Sequence, residues 1–298
     1  MPLWLLPVLG RVLVGNGLFP VILKQNVGLP SRTRRFLLQF FFCTIFALIV
    51  AIATHHVSIS HTAIIIFVIG LFNGFAAFAQ WKAIDISLSR TSLFTFWDDI
   101  IAMALSLLIL HEGRELNAGV YTGIILSLGA VVFFAIHSYQ QRIHSNPDAK
   151  AVPFKFYLYV GFYSIIWGLA TFAMRYLGVK NVSIGAFLAP WYLGALVAAF
   201  IILLRVDKKA ITVALKTKDI AWMLALSSCV FVSLALTYKA YSMAPQNVVQ
   251  PYFLIGEMIL PTLIGLYFFK EVKGLDKSEK LVFSIAIIGG IIIAISKL

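Results

Sequence analysis

Apolar runs of about twenty residues recur along the chain, separated by short polar breaks, and ten of them account for nearly its whole length. A helix rises 1.5 Å per residue, so about 20 mostly apolar residues cross the hydrocarbon of a bilayer. The pattern therefore predicts ten membrane-spanning helices, over residues 2–23, 36–54, 62–81, 91–110, 119–136, 154–177, 184–204, 220–241, 248–269 and 281–296. The first run lacks a basic leader and a small-residue cleavage site and reads as a retained helix, not a signal peptide. The longest polar stretch, 138–153, is too short to hold a core. It reads as a linker, with residues 1–140 as one half, 141–153 as the link and 154–298 as the second half.

Composition agrees with the pattern. Of 298 residues 61% are hydrophobic and 12% charged, against about 25% charged in soluble domains. The net charge of +12 would suggest nucleic acid in a soluble chain. Here the basic residues are scattered through short loops, where membrane proteins carry them, and no nucleic-acid partner is expected. Cys43 and Cys229 both lie in apolar runs, which excludes a disulfide framework or a Cys-rich metal site.

The halves are related to each other. Trp81-Lys82-Ala83 at the end of the third run matches Tyr238-Lys239-Ala240 at the end of the eighth. His111-Glu112 matches Lys270-Glu271, and Gly17 with Lys24 matches Gly168 with Arg175. Five spans per half is an odd number, so the halves would cross the membrane in opposite senses. Loop charge agrees: the loop after the second span has no Lys or Arg, whereas its counterpart after the seventh has Arg205, Lys208, Lys209, Lys216 and Lys218. Basic residues concentrate in the loops after odd-numbered spans, which predicts both termini outside.

With these motifs the chain resembles the drug/metabolite transporter superfamily, in particular members built from two EamA-type repeats of five spans. The family repeat has an early Trp-Gly followed by a basic residue, an Ala-aromatic segment ending its third helix and a Gly-Glu closing its fourth. The second half has Trp167-Gly168 with Arg175, then Ala240-Tyr241-Ser242, then Lys270-Glu271; the first has Asn16-Gly17, Ala83-Ile84-Asp85 and His111-Glu112. Where many members have Glu-Pro or a lone Pro along the fourth helix, this chain has Asp98-Asp99 and Glu257-Met258. The resemblance implies an all-α integral membrane fold of two inverted five-helix repeats, with cytosolic termini in most relatives. The basic residues argue the reverse orientation.

Candidate chemistry starts with the carboxylates, since an ionisable group near the bilayer centre costs several kcal/mol and is a functional candidate by default. Asp98 and Glu257 each lie about 20 Å of helix before Glu112 and Glu271, placing both near the midplane. Each follows an aromatic one turn earlier, Phe94 and Phe253, giving an aromatic-carboxylate face that would line a groove from both sides. Asp99 points about 100° away from Asp98. Such acids suit proton coupling or a substrate amine; the plain alternative is helix packing. Lys82 and Lys239, each behind an aromatic (Trp81, Tyr238), could hold an anionic group or simply reach the headgroups. Arg11, Asn16 and Gln80 could line the same cavity. His55, His56 and His61 share a loop but lack a fourth ligand nearby, so neither a metal nor a cofactor is expected. Gly70 with Gly74 and Gly119 with Gly123 read as close helix contacts. Pro190, Pro251 and Pro261 would kink or interrupt the seventh and ninth spans.

The expected function is a carrier in the inner or plasma membrane that moves a small metabolite, such as an amino acid or related amphiphile, by alternating access between the repeats. A proton is the expected coupling ion. A lipid carrier of the same fold and a non-transporting scaffold are the alternatives, a homodimer is possible, and an enzyme is not expected.

Overall fold

A computed structural model describes residues 2–29, 31–55, 60–113, 117–143, 153–211, 215–275 and 277–297. Among them are ten long helices and no strand: α1 (Leu5–Val27), α2 (Arg32–Ala53), α3 (His61–Ile86), α4 (Leu88–Ile109), α5 (Ala118–Ile143), α6 (Phe154–Val179), α7 (Ile184–Val206), α8 (Thr217–Met243), α9 (Gln246–Phe268) and α10 (Lys277–Lys297). Each of the ten predicted runs lies on one helix. Among the described residues nine helices are long and apolar enough to cross a membrane, and α10 adds 21 residues, apolar from Leu281 to Ile295 except for Ser284. Leu13, Ile49, Leu108 and Ile125 face outward, whereas Arg11, Gln39, Asn73, Asp98 and Gln250 are buried. An apolar exterior around a polar interior is the build of a membrane protein.

Local chemistry sets the helix ends. The hydroxyls of Ser60, Ser87 and Ser183 accept from backbone N–H groups in the first turns of α3, α4 and α7. His55, His111, Asn181 and Lys270 reverse the chain with left-handed φ of 55–57° just past helices. Polar residues near several ends find partners and extend the helices beyond their apolar runs. Thus α1 continues past Leu23 because Lys24 donates to the carbonyls of Ile84 and Asp85, and α3 continues past Trp81 to Ile86. The proposed linker is shorter than 138–153 because α5 runs to Ile143; residues 144–152, with His144 to Asp148, lie outside the described residues.

Glycine sets the closest approaches. A Cβ on Gly70 would lie 2.1 Å from the Trp191 carbonyl oxygen, and one on Gly194 would lie 2.1 Å from that of Phe67, so α3 and α7 touch through backbone. Gly123 and Gly289 do the same between α5 and α10. The expected close contacts at Gly70/Gly74 and Gly119/Gly123 are present. Of the two effects expected of the prolines, interruption does not occur: the α-helical segments of α7 and α9 continue through Pro190, Pro251 and Pro261. Wider π turns occur instead at Val12–Leu18 within α1 and at Ile264–Phe268 after Pro261.

The main packing partners cross between the first five helices and the last five. α2 packs on α7, α4 on α9 and α5 on α10; α3 packs on α6 and α7, as α8 does on α1 and α2; α4 packs on α6, as α9 does on α1. Advancing every helix by five places leaves this pattern unchanged.

Candidate functional site

A cavity of about 140 Å³ lies among α1, α2, α3, α6, α7 and α8, with one side on α4 and α9. The π turn of α1 shapes its wall. It carries Gly15 and Asn16 in VLVGNGL, and such wide turns often mark functional sites. A Cβ on Gly15 would lie 2.8 Å from the Arg11 guanidinium, and one on Gly256 would lie 2.6 Å from the Asn16 amide nitrogen. Small residues at both positions leave room for the polar group between them.

That group is centred on Arg11. Its Nε donates to Thr237 Oγ1 at 3.2 Å, one terminal nitrogen donates to Asn16 Oδ1, and the other pairs with Glu257. The guanidinium also lies 5.2 Å from the centre of the Phe253 ring. Behind Glu257 stand Asp98 and Asp99, the three carboxyl groups offering oxygens within 4.8 Å of one another. Gln250 donates to Asp99 and accepts from the Tyr241 hydroxyl. Neither oxygen of Asp98 accepts from another side chain among the described residues, and Asp98 is 1% exposed. Three carboxyl groups beside one guanidinium in apolar surroundings leave more negative than positive charge to be balanced, which makes the cluster a candidate for protonation.

The candidate residues separate into two groups. Asp98, Asp99, Glu257, Phe253 and Asn16 come together around Arg11, and Trp81 lines the cavity with its ring edge-on to Phe36 at 5.3 Å. The others are placed elsewhere. Phe94 packs on Phe134 and Phe156, at 5.6 and 5.8 Å, so the symmetric aromatic-carboxylate face is not formed. Asp98 and Asp99 are likewise behind the cavity wall and do not line it. Phe94 instead faces α5 and α6, and Asp99 faces Gln250 on α9. Lys82 lies over the rings of Phe78 and Tyr159, and Lys239 is exposed; neither lines the cavity. Tyr238 stacks on Phe187 at 4.1 Å and donates to the Val182 carbonyl. Of the histidines, His56 lies outside the described residues.

Two further acids were seen in the sequence only as motif endings. Glu112 accepts from Arg175 at 2.7 Å, Ser106 at 2.7 Å and the backbone N–H of Gln246 at 2.7 Å. Arg175 also donates to the Tyr241 carbonyl at 2.6 Å. At the other end of the bundle Glu271 accepts from Ser87, Ser89 and the N–H groups of Leu88 and Ser89, with Lys24 at 3.3 Å. Burial raises the Glu271 carboxyl, but the Ser89 and Leu88 donors and the Lys24 ammonium outweigh it and hold it below its ordinary 4.5. Each acid thus sits at the start of a helix from the opposite half, α9 for Glu112 and α4 for Glu271, where helix dipole and free N–H groups favour negative charge.

No family model and no curated protein matches the chain. A solved structure described only as a crystal structure of a protein is similar in fold, with a TM-score of 0.65 over 99% of each chain at 12% identity.

Proposed function

We propose that the protein is a multi-pass membrane carrier of the drug/metabolite transporter type, moving a small polar solute by alternating access between two inverted five-helix repeats. The observation that carries this reading is the Arg11–Glu257 pair, a buried ion pair on the wall of a small cavity between the halves, backed by two further acids. Charged groups so placed are costly and mark solute or ion pathways. The packing pattern that survives a shift of five helices supports the repeat, as do the exchanged pairs Arg175–Glu112 and Lys24–Glu271. The acid cluster supports proton coupling: protonation of Glu257 releases Arg11, and that change in pairing links proton uptake to the cavity.

Proton flux into proteoliposomes carrying a pH dye, on addition of a panel of uncharged, zwitterionic and phosphorylated solutes, tests this reading. A solute-dependent signal lost in Glu257→Gln supports it. Absence of both proton movement and labelled-solute exchange in folded protein refutes it.

The lipid-carrier alternative has one observation in its favour, an outward-facing groove between α2 and α7 lined entirely by apolar residues including Leu38, Phe41, Leu196 and Phe200. Transbilayer movement of a fluorescent lipid that survives Glu257→Gln and is blocked by Leu196→Trp would favour it.

A further inference from the structure

The cavity also limits what it can hold. We propose that it binds an uncharged, single-ring polar solute, of the kind represented by a pyrimidine base or a pyridine carboxamide, stacked on Trp167 with its edge held by the amides of Asn16, Gln39 and Asn73. The binding claim stands on the cavity alone; only the movement of that solute across the membrane rests on the carrier reading.

Size is the first constraint. A space of about 140 Å³ is close to the roughly 150 Å³ of an engineered cavity that takes one benzene ring.

Charge is the second. The lining has one cation and one anion, Arg11 and Glu257, and they pair with each other. All three guanidinium nitrogens already have acceptors, in Thr237, Asn16 and Glu257. A phosphate or carboxylate would bring more negative charge beside Glu257, Asp98 and Asp99, where one guanidinium already faces three acids. A cation would have to compete with Arg11 for Glu257. An uncharged solute disturbs none of these bonds.

The third constraint is unmet hydrogen-bonding capacity. Asn16, Gln39 and Asn73 line the cavity from α1, α2 and α3, and each is more than nine-tenths buried. Each keeps one amide atom without a partner among the described residues: Asn16 Nδ2, Gln39 Oε1 and Asn73 Oδ1. Buried polar atoms without partners are costly. A side-chain amide both donates and accepts, so three of them around one space match a ligand edge bearing both C=O and N–H groups. The walls supply the remaining contact, since Trp81, Trp167 and Trp191 all line the space. Trp167 is the least buried of the three and is itself backed by Tyr163, nearly parallel at 6.2 Å. A flat ring laid on an indole face gains stacking without a charged partner.

The test is equilibrium binding to the purified full chain, followed by quenching of tryptophan fluorescence and by the shift in melting temperature. The probes are uracil, nicotinamide, glucose, leucine, benzoate and glucose 6-phosphate. Uracil or nicotinamide is expected to saturate both signals, with at least tenfold weaker binding in Asn73→Leu and in Trp167→Leu and unchanged binding in Lys82→Ala. Gln39→Leu serves if Asn73→Leu fails to fold. No response to either ring in folded protein overturns the proposal, as does tighter binding of leucine, benzoate or glucose 6-phosphate. If leucine or glucose 6-phosphate is also carried into proteoliposomes, the carrier reading survives that failure. If uracil binds but no probe moves, the site stands and the carrier reading falls.

Discussion

The two ends of the bundle close with the same kind of group but to different degrees. At one end Arg175 grips Glu112 through two nitrogens, at 2.8 and 2.7 Å, and fastens a third to the Tyr241 carbonyl. Asn247 adds a bond to the Glu112 carbonyl at 2.7 Å, so α4, α6, α8 and α9 are tied together. At the other end Lys24 approaches Glu271 only to 3.3 Å and spends its hydrogen bonds on the carbonyls of Ile84 and Asp85. The cavity extends toward this second end, where Pro20, Ile84, Leu88 and Pro261 line it. A planar guanidinium forms a directional clamp, whereas an ammonium is a point charge on a flexible stem. The Arg175 end is therefore the more tightly tied of the two, and the proposed carrier cycle would open the Lys24 end first.

The largest expected effect comes from breaking the tighter end. Arg175→Leu strands Glu112 in a site where its side chain is 11% exposed. Leaving a buried charge unpaired costs about 3–5 kcal/mol, so the melting temperature should fall sharply and thiol labelling at Ala244→Cys should rise. Next comes the backbone contact that joins the halves. Gly194→Ala puts a methyl group 2.1 Å from the Phe67 carbonyl oxygen; overpacking of this kind costs about 1–3 kcal/mol, read as a lower melting temperature with both ends loosened alike.

Lys24→Met should cost only about 1 kcal/mol, because Glu271 keeps its serine and backbone donors. The same site has a pH signature. A carboxyl held below 4.5 in the folded protein stabilises it above that pH and loses the contribution as pH falls through the lowered value. Melting scans below pH 4.5 should therefore lose a contribution that is absent in Glu271→Gln. The smallest effect is expected at Lys239, which is exposed: Lys239→Ala should change stability by no more than about 0.5 kcal/mol and leave solute binding intact.

Much of the fold is legible in the sequence because a span is a property of one segment. Length and apolarity place each of the ten helices, and boundaries shift only where end residues find partners, Asn26 within its own helix and Lys24 and Asp85 across to another. The motif endings are legible for a similar reason. His111 and Lys270, each directly before an acid, both adopt left-handed backbone that turns the chain toward the opposite half. The site is less legible, since it depends on which helix faces which. Asp98 and Glu257 have the same position in their halves, but α1 supplies Arg11 to one and α6 brings no charge to the other. Sequence spacing predicted a symmetric pair of walls, whereas packing assembled an asymmetric cluster with Phe94 directed away. Arg11 carried the available signal, as the one basic residue deep within the first span. Gln39, Asn73 and Gln250 are polar positions inside apolar runs, as Asn16 and Gln80 are, but their roles arise from neighbours far along the chain and the local pattern does not rank them.

Alternating access is tested most directly by labelling single cysteines from the water phase in proteoliposomes, in a background with Cys43 and Cys229 replaced by Ala. Gln80→Cys reports the cavity and Ala244→Cys the Arg175 end. At rest the first should label quickly and the second slowly. An imposed pH gradient, with uracil present, should slow Gln80→Cys and speed Ala244→Cys together, and Glu257→Gln should abolish the exchange. Rates at the two positions that stay fixed under every gradient and solute, in protein that remains folded, would contradict the account.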